Sequence, residues 1–343
     1  MTRITHRFAL AAAIAGAMVA SLAAFRPPPG GGGAGGTGGG TIYYTLGGLK
    51  TTWTMDSSGG NNTQFGFGTY GPASTETHNG YRWFIDTRLI PDEFYPDGYL
   101  RIEVFALRED YDYYNNHTPE TRVQLTDDFT LQPIGDGFYS LHWLPGDTAV
   151  SFKGRRWSGG EVVEGGIYTV PVIFDVDGNL IGGGSSTLAV ALPPNADMFP
   201  AVRTYCWAPT GDKIAYEDTT GLYVADLLGN HTRIVNSNSH TPQWSPDGGK
   251  IAFTNGNLGI SIVKPNGTSL KEIVRRGSDW TFDRPFWSPE GTHLVFHGFA
   301  WNGPYNADIF RVTSAGRSLT NLTNTPNNGG NSTEFAEFVM GWR

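Results

Sequence analysis

The stretch TPQWSPDGGKIAF at positions 241–253 constrains the fold of this chain more than any other. Its central letters SPDG combine a proline that fixes φ, an aspartate that can bond its own backbone and a glycine that tolerates positive φ, which together favour a tight turn. A short predicted strand that ends at Trp244 precedes the turn, and the apolar residues 251–253 follow it. The stretch therefore predicts a β-hairpin.

Hairpins of this kind recur at a fixed spacing. In four places an aromatic residue follows a tryptophan nine positions later, with the turn letters LPGD, APTG, SPDG and SPEG between them. The pairs are Trp143 and Phe152, Trp207 and Tyr216, Trp244 and Phe253, and Trp287 and Phe296. In a second spacing, a turn glycine follows the start of the next strand by seven positions: Gly229 after Leu222, Gly267 after Ile260 and Gly316 after Ile309. Repeated units of about four strands and roughly 40 residues are typical of β-propeller blades.

These units resemble the TolB-like propeller repeat, whose pattern P-x-W-S-P-D-G-x-x-I-A-F matches positions 242–253 almost letter for letter. Other copies depart from it, because Leu141 and Tyr205 stand where the pattern has its first proline and Glu290 replaces the turn aspartate. The resemblance implies a propeller over residues 41–343, with the sharp repeats between 139 and 325. It implies little about activity, since one fold hosts many functions.

The blade count follows from the repeats and their flanks. The sharp repeats predict blades at 139–199, 200–238, 239–279 and 280–325, and candidate strands at 65–70, 81–85, 100–107 and 121–125 predict another. The N-terminal strands lack an opening tryptophan strand, while the chain ends on such a strand at Trp342. Pairing the two would remove exposed edges. We therefore predict an all-β, six-bladed β-propeller with four antiparallel strands per blade, its ring closed by the C-terminal strand, and with Trp143, Trp207, Trp244, Trp287 and Trp342 as the repeated structural positions.

The N-terminus has the pattern of a secretory signal. Arg3 and Arg7 precede the uncharged apolar and small residues 8–19, and the small residues around Leu22 suit cleavage. We predict a signal peptide at 1–23, a Pro/Gly-rich linker at 24–40 and the propeller at 41–343. The expected location is periplasmic or secreted in a bacterium, with no integral membrane domain after cleavage. The alternative is an uncleaved N-terminal membrane anchor.

Charge and cysteine content narrow the classes of partner. The formal net charge is −8, which disfavours nucleic acid as a partner because phosphate binding requires clustered Lys and Arg. Cys206 is the only cysteine, so no intrachain disulfide can form. We expect it to be a buried apolar residue, with a nucleophile as the alternative.

The sequence lacks the common catalytic and metal motifs: G-x-S-x-G, H-E-x-x-H, a P-loop and cysteine-based metal spacing. Some larger propellers that resemble this one are pectin-fragment lyases that hold a metal on several histidines. His6 lies in the predicted signal, and the other seven histidines are scattered, which favours surface or core positions: His78, His117, His142, His231, His240, His293 and His297. The stretch beginning at Asp175 starts like a calcium loop but lacks the twelfth-position glutamate, which favours a turn. We predict no cofactor and no metal.

Two functions remain open. The first is a non-catalytic exported binding module, monomeric, for an exported or envelope protein or a glycan. The second is a carbohydrate-active enzyme, a polysaccharide lyase or hydrolase, with its site at the channel mouth. We favour binding without catalysis.

One face of the disc is expected to carry most of the longer connections, at 86–99, 153–165 and 297–307. The other is expected to consist of tight turns, with longer connections only at 71–80 and 110–120. Long loops on a rigid scaffold are common recognition sites, and Trp, Tyr and Arg often dominate interfaces. The predicted binding residues are Trp157, Arg203, His240, Trp280, Asp283, Arg284, Trp301, Tyr305 and Glu337. The alternative is that these aromatic residues pack the loops onto the disc.

Overall fold

A computed structural model describes residues 39–46, 51–67, 78–91, 100–111, 118, 120–128, 131–133, 141–159, 161–192, 204–300, 307–323 and 337–342. The predicted signal peptide and nearly all of the predicted linker lie outside these residues. In the part of the chain that is described, the regular structure is β-strand apart from a 3-10 turn at Pro145–Asp147. No helix in this part is long and apolar enough to cross a membrane.

The strands form six antiparallel sheets, which we number in chain order. Sheet 1 contains β25 (Glu337–Trp342), β1 (Thr41–Leu46), β2 (Thr51–Asp56) and β3 (Thr63–Phe67). Sheet 2 contains β4 (Trp83–Pro91), β5 (Leu100–Arg108) and β6 (Arg122–Gln124). Sheet 3 contains β7 (Leu131–Pro133), β8 (Leu141–Trp143), β9 (Ala149–Ser158), β10 (Glu161–Phe174), β11 (Leu180–Gly183) and β12 (Thr187–Ala191).

The remaining three sheets are regular four-stranded meanders. Sheet 4 contains β13 (Tyr205–Trp207), β14 (Lys213–Glu217), β15 (Leu222–Asp226) and β16 (His231–Val235). Sheet 5 contains β17 (Ser239–Trp244), β18 (Ile251–Asn255), β19 (Ile260–Val263) and β20 (Lys271–Val274). Sheet 6 contains β21 (Trp280–Trp287), β22 (His293–Ala300), β23 (Ala307–Thr313) and β24 (Thr320–Asn321).

The sheets are arranged as a β-propeller. The first strands β13, β17, β21 and β25 contact one another in that order, as the inner strands of successive blades do. Five sheets contain the four or more strands of a blade, rather than the six expected from the sequence, because sheet 2 has three described strands. One cause of the difference is that residues 63–67, part of which was expected to open a blade, pair with β2 and complete sheet 1.

Sheet 1 closes the ring as the sequence predicts. Strand β25 pairs with β1 from Ile42 opposite Trp342 to Leu46 opposite Glu337. The Nε1 of Trp342 donates to the carbonyl oxygen of Gly39 at 3.0 Å. The first strand and the second strand of this sheet therefore come from opposite ends of the chain.

The repeated tryptophans are all buried, and Trp207, Trp287 and Trp342 bond outside their own strand pair. Trp207 Nε1 donates to the Ser151 hydroxyl of sheet 3 at 2.7 Å, and Trp287 Nε1 donates to the carbonyl oxygen of Gln243 in sheet 5 at 3.0 Å. The repeat thus fixes one sheet to the preceding one as well as filling the core.

The turn glycines have a similar role. Gly267 and Gly316 adopt φ values of 82° and 83°. A Cβ added to Gly316 would lie 2.9 Å from the carbonyl oxygen of Ile273 in β20, and one added to Gly267 would lie 3.2 Å from that of Ile234 in β16. Each glycine turn therefore lies close to the outer strand of the preceding sheet, where an added side chain would crowd the backbone.

The two faces of the disc follow from strand direction. We call the face that holds the starts of the first strands and the second-to-third connections the entrance face. The face with the first-to-second and third-to-fourth turns is the turn face. The entrance face differs from expectation, because parts of the expected loops are paired strands: β4 continues to Pro91, β9 to Ser158 and β22 to Ala300.

Candidate functional site

One strand position carries a polar residue in every sheet. It lies in the second strand of each blade, directly after an aromatic or apolar residue such as Tyr216 or Phe296. The residues at this position are Thr45, Asp86, Lys153, Glu217, Thr254 and His297. Apart from Thr45, whose side chain lies outside the description, all of these side chains are buried. Buried ionisable groups are costly unless they are paired or hydrogen-bonded, so a polar residue at the same place in successive sheets is not explained by packing alone.

Glu217 joins sheets 4 and 5 at the entrance face. Its Oε1 accepts a hydrogen bond from the Thr204 hydroxyl at 3.0 Å, and its Oε2 lies 3.0 Å from Nδ1 of His240 at the start of β17. Glu217 is almost fully buried, whereas His240 is partly exposed. The buried carboxylate of Glu217 therefore positions the partly exposed imidazole of His240 at the surface.

Asp283 has the equivalent role between sheets 5 and 6. Its Oδ1 accepts hydrogen bonds from the Thr254 hydroxyl at 2.7 Å and the Thr241 hydroxyl at 3.3 Å. The Arg284 backbone N–H donates to the same oxygen at 2.8 Å, and Arg284 Nε lies 3.4 Å from the Asp283 Oδ2. Both carboxylate oxygens thus have partners.

Thr204 connects these two groups into one network. Its hydroxyl donates to Glu217 and accepts a hydrogen bond from the Thr241 backbone N–H at 3.0 Å. Thr241 then reaches Asp283 through its own hydroxyl. We call Thr204, Glu217, His240, Thr241, Thr254, Asp283 and Arg284 the entrance cluster; it spans sheets 4, 5 and 6.

The backbone of the cluster is bulged in the same way twice. Thr241 and Arg284 each stand three positions before a repeat tryptophan, and they have φ values of 50° and 58°. The ladder registers shift at these points in β17 and β21. A positive φ is costly for a β-branched or bulky residue, typically about 1–3 kcal/mol. The bulges turn both residues out of the regular ladder at the entrance face.

Other polar groups continue along this face. His297 is fully buried and meets the Phe299 ring edge-on, with 6.0 Å between ring centroids. Asp308, at the start of β23, accepts a hydrogen bond from the Asn321 side-chain nitrogen at 2.6 Å. In sheet 2, Glu103 is buried and accepts a hydrogen bond from the Thr126 hydroxyl.

The sequence-predicted binding residues divide into three groups. His240, Asp283 and Arg284 lie in the entrance cluster. Trp157 and Trp280 lie apart from it: the Arg155 guanidinium stands over the Trp157 ring at 4.8 Å, and Trp280 packs edge-on against Phe310 at 4.9 Å. Glu337 begins β25, but its side chain lies outside the description, as do Arg203, Trp301 and Tyr305 altogether.

Sequence reasoning missed Glu217, Thr254 and the other polar residues at the repeated second-strand position. The signal was present, because each directly follows an aromatic or apolar repeat residue, as Glu217 follows Tyr216 and His297 follows Phe296. A polar residue at the same step of each repeat differs from the scattered polar residues of an ordinary surface.

Two further sequence predictions concern Cys206 and the Asp175 stretch, which lie outside the entrance cluster. Cys206 is buried as expected, and burial raises the pKa of its thiol to about 12, which suppresses the nucleophilic thiolate. The Asp175 stretch is the predicted turn: Asp175 Oδ1 accepts from the backbone N–H groups of Asp177 at 2.9 Å and Asn179 at 2.8 Å. Within the described ranges, no group of three or more His, Cys, Asp and Glu side chains is placed to hold a metal ion.

No protein-family model matches this sequence, and no curated protein matches it. Solved structures similar to the chain include TolB-like and related propeller proteins. A protein of Agrobacterium tumefaciens assigned as TolB has 16% identity and a TM-score of 0.47, over 88% of this chain and 96% of that one. A protein of Bacteroides fragilis assigned as a 6-phosphogluconolactonase has 12% identity and a TM-score of 0.47, over 90% and 99%.

A third similar structure is the oligogalacturonate lyase of Vibrio parahaemolyticus, with 12% identity and a TM-score of 0.43, over 73% of this chain and 71% of that one. These values are too low to carry a functional argument. The propeller assignment above comes from the strand order and packing of this chain.

Proposed function

We propose that this protein is an exported, non-catalytic β-propeller of the TolB-like type that binds a protein segment or a glycan at its entrance face. The proposal includes a ring of six blades, with sheet 2 as one of them, and a periplasmic or secreted location. The observation that carries it is the entrance cluster, a polar network contributed by three successive sheets.

The internal bonding of the cluster favours recognition over catalysis. Glu217 Oε1 and Asp283 Oδ1 accept hydrogen bonds from threonine hydroxyls, and the second oxygen of each carboxylate lies within 3.4 Å of a His240 or Arg284 nitrogen. Groups that are fixed in this way are preorganised, so a ligand would pay little ordering entropy to meet them. The partly exposed side chains of His240 and Arg284 are then the groups that contact the ligand.

The proposal is tested by identifying the partner and measuring its affinity. A photoreactive residue at position 284 would mark contacting molecules in the exported fraction, and the purified partner would then be titrated against defined variants. We expect the paired substitution His240→Ala with Arg284→Ala to weaken binding by about 1 kcal/mol or more. Arg233→Ala, an exposed arginine on the outer strand β16, is the matched control and should leave the affinity unchanged.

The second candidate is the carbohydrate-active enzyme, and Glu217 beside His240 is the observation that favours it, because a carboxylate and an imidazole in contact are a common acid–base pair. The test is turnover of acidic oligosaccharides. Turnover that Glu217→Gln abolishes, with folding retained, would replace the binding proposal with the enzyme.

A further inference from the structure

The turn face carries almost all of the large apolar side chains that are exposed in the described part of the chain. Of eight such residues, seven lie in or beside the third-to-fourth turns of sheets 3, 4, 5 and 6: Ile173, Val176, Ile181, Leu227, Leu228, Leu270 and Leu319. The eighth, Val163, lies at the start of β10 on the entrance face. Scattered apolar residues are ordinary on a protein surface, but this distribution selects one structural position in four neighbouring sheets.

The most exposed of these side chains stand at the tips of turns. Val176 is fully exposed and Leu228 is 88% exposed. Their turns are closed by aspartates that accept backbone N–H groups, Asp175 in one and Asp226 in the other. Polar residues are common in such turns. An exposed leucine or valine at the tip is available for a contact outside the chain.

Two leucines are presented by an unusual backbone. Ser269 and Ser318 have φ values of 59° and 58°, and each immediately precedes an exposed leucine, Leu270 or Leu319. A positive φ is unfavourable for serine relative to glycine. The same Ser-Leu step therefore occurs in the same conformation in sheets 5 and 6, and in both cases the leucine is exposed.

These turns form a continuous surface because the sheets overlap. The Lys271 Nζ, beside Leu270, donates to the carbonyl oxygen of Ala315 in the next sheet at 3.1 Å. Gly316 packs on Ile273 in the same overlap. Lys264, Lys271 and Arg317 are exposed around the two leucines. The turns of sheets 5 and 6 thus combine aliphatic and basic side chains on one surface.

The chain N-terminal to the propeller joins at the same face. Gly39 lies beside Glu290 in the first-to-second turn of sheet 6, and it precedes β1, which runs from the turn face toward the entrance face. Residues 8–19 of the sequence are uncharged and apolar or small. If residues 8–19 remain as the N-terminal membrane anchor that is the alternative to a cleaved signal, the 20–38 stretch between them and Gly39 could span at most about 65 Å. That membrane would then lie within reach of the turn face.

We infer that the turn face, at the third-to-fourth turns of sheets 3 to 6, docks on a lipid bilayer surface. Aliphatic side chains enter the boundary between headgroups and acyl chains, while Lys264, Lys271 and Arg317 of sheets 5 and 6 meet lipid phosphates. This surface is separate from the entrance cluster, which the docked protein would hold away from the membrane.

The test uses the purified exported protein and an environment-sensitive dye on a single introduced cysteine. The native Cys206 is buried with a raised pKa and will not react in the folded protein. Leu228→Cys reports the turn face, and Val163→Cys, exposed at 59% on the entrance face, is the matched control. With vesicles of phosphatidylcholine and phosphatidylglycerol, we expect a blue shift of emission at position 228 and none at position 163.

A second arm measures vesicle partitioning without labels. The variant Leu227→Asn with Leu228→Asn and Leu270→Asn should partition at least about tenfold more weakly, since several apolar side chains no longer enter the bilayer. Val163→Asn should partition like the parent. Lys264→Gln with Arg317→Gln should weaken binding to the anionic vesicles and leave binding to phosphatidylcholine alone unchanged.

Equal shifts at positions 228 and 163, or no shift at either, would overturn the inference. Self-association in the absence of lipid that depends on the same leucines would overturn it in favour of a second copy of the chain. None of these results depends on a ligand at the entrance cluster, so they do not bear on the proposed binding function.

Discussion

Glu217 Oε2 lies 3.0 Å from Nδ1 of His240, although the two residues belong to different sheets and are separated by a complete outer strand pair. This contact links the second strand of sheet 4 to the first strand of sheet 5. Glu217 is buried and also bonded to Thr204. The contact therefore connects the buried part of the entrance cluster to His240, which is partly exposed and accessible to a ligand.

Removing this carboxylate should cost stability. We expect Glu217→Ala to lower the free energy of unfolding by about 1–3 kcal/mol, because the Thr204 hydroxyl and the His240 ring lose a buried partner. A double-mutant cycle with His240→Ala, measured by urea denaturation, isolates the contact itself. Additive effects of the two substitutions would show that the pair is not coupled.

The contact between the Gly316 turn and β20 of the preceding sheet leads to a second prediction. Gly316 and Gly229 have φ values of 83° and 84°, so alanine is strained by a similar amount at both. Only Gly316 has a backbone oxygen 2.9 Å from an added Cβ, while nothing lies within 4 Å of one at Gly229. Gly316→Ala should therefore be less stable than Gly229→Ala by about 1–3 kcal/mol. Equal thermal unfolding of the two variants would contradict the contact.

The hydrogen-bonded turn at Asp247 is expected to make the folding stability fall at acid pH. A hydrogen bond from the Ser245 hydroxyl, helped by the Gly249 N–H, holds the pKa of Asp247 below its ordinary value of 3.8. A carboxyl with a depressed folded-state pKa stabilises the protein above its unfolded pKa, and this stabilisation is lost as the pH falls through the folded pKa. Asp247→Asn should therefore show a smaller loss of stability below pH 3.8 than the parent.

The control for that measurement is Asp279→Asn, at an exposed position outside the repeated turns. Thermal unfolding followed across the acid range compares the three proteins. An acid profile for Asp247→Asn that matches the parent would show that this turn does not contribute.

The single thiol should be silent until the protein unfolds. Burial raises the pKa of Cys206 to about 12, so at mildly alkaline pH almost none of it is thiolate. We expect no alkylation by iodoacetamide in the native protein and complete alkylation in denaturant, measured by intact mass. Rapid alkylation without denaturant would place the thiol at an accessible site.

Removal of the last strand tests the closure of the ring. Deleting residues 334–343 takes away β25, its ladder with β1 and the buried Trp342. We expect an insoluble or protease-sensitive product, because sheet 1 would expose the edge of β1. A truncated protein with an unchanged melting temperature would contradict this role for β25.

The regular hairpins could be predicted from the sequence because each one combines a buried tryptophan with turn chemistry that few other structures share. The Trp244 repeat and the pairing of Trp342 with the N-terminal strands are examples. The extended hairpins could not be predicted in the same way. Residues 86–91 contain charged residues and end in proline, as a loop does, yet they pair in unbroken register with β5.

The entrance cluster was only partly predictable for a different reason. The sequence indicates His240, Asp283 and Arg284 because they stand before a repeat tryptophan, but their partners Glu217 and Thr254 come from the second strands of sheets 4 and 5. The bulges at Thr241 and Arg284 carry no glycine that would signal a positive φ. Tertiary packing fixes these conformations, and local sequence does not indicate them.

The position of Gly39 decides how the disc would respond to a pull on its N-terminus. Traction applied at Gly39 acts along β1, whose backbone is paired with β25 on one side and with β2 on the other. Loading along a strand shears the whole ladder at once, so its hydrogen bonds share the force, whereas peeling a strand sideways would break them one by one. Such a pull would therefore load β1 in shear, and the force would pass to β25 and β2 before the ring opened.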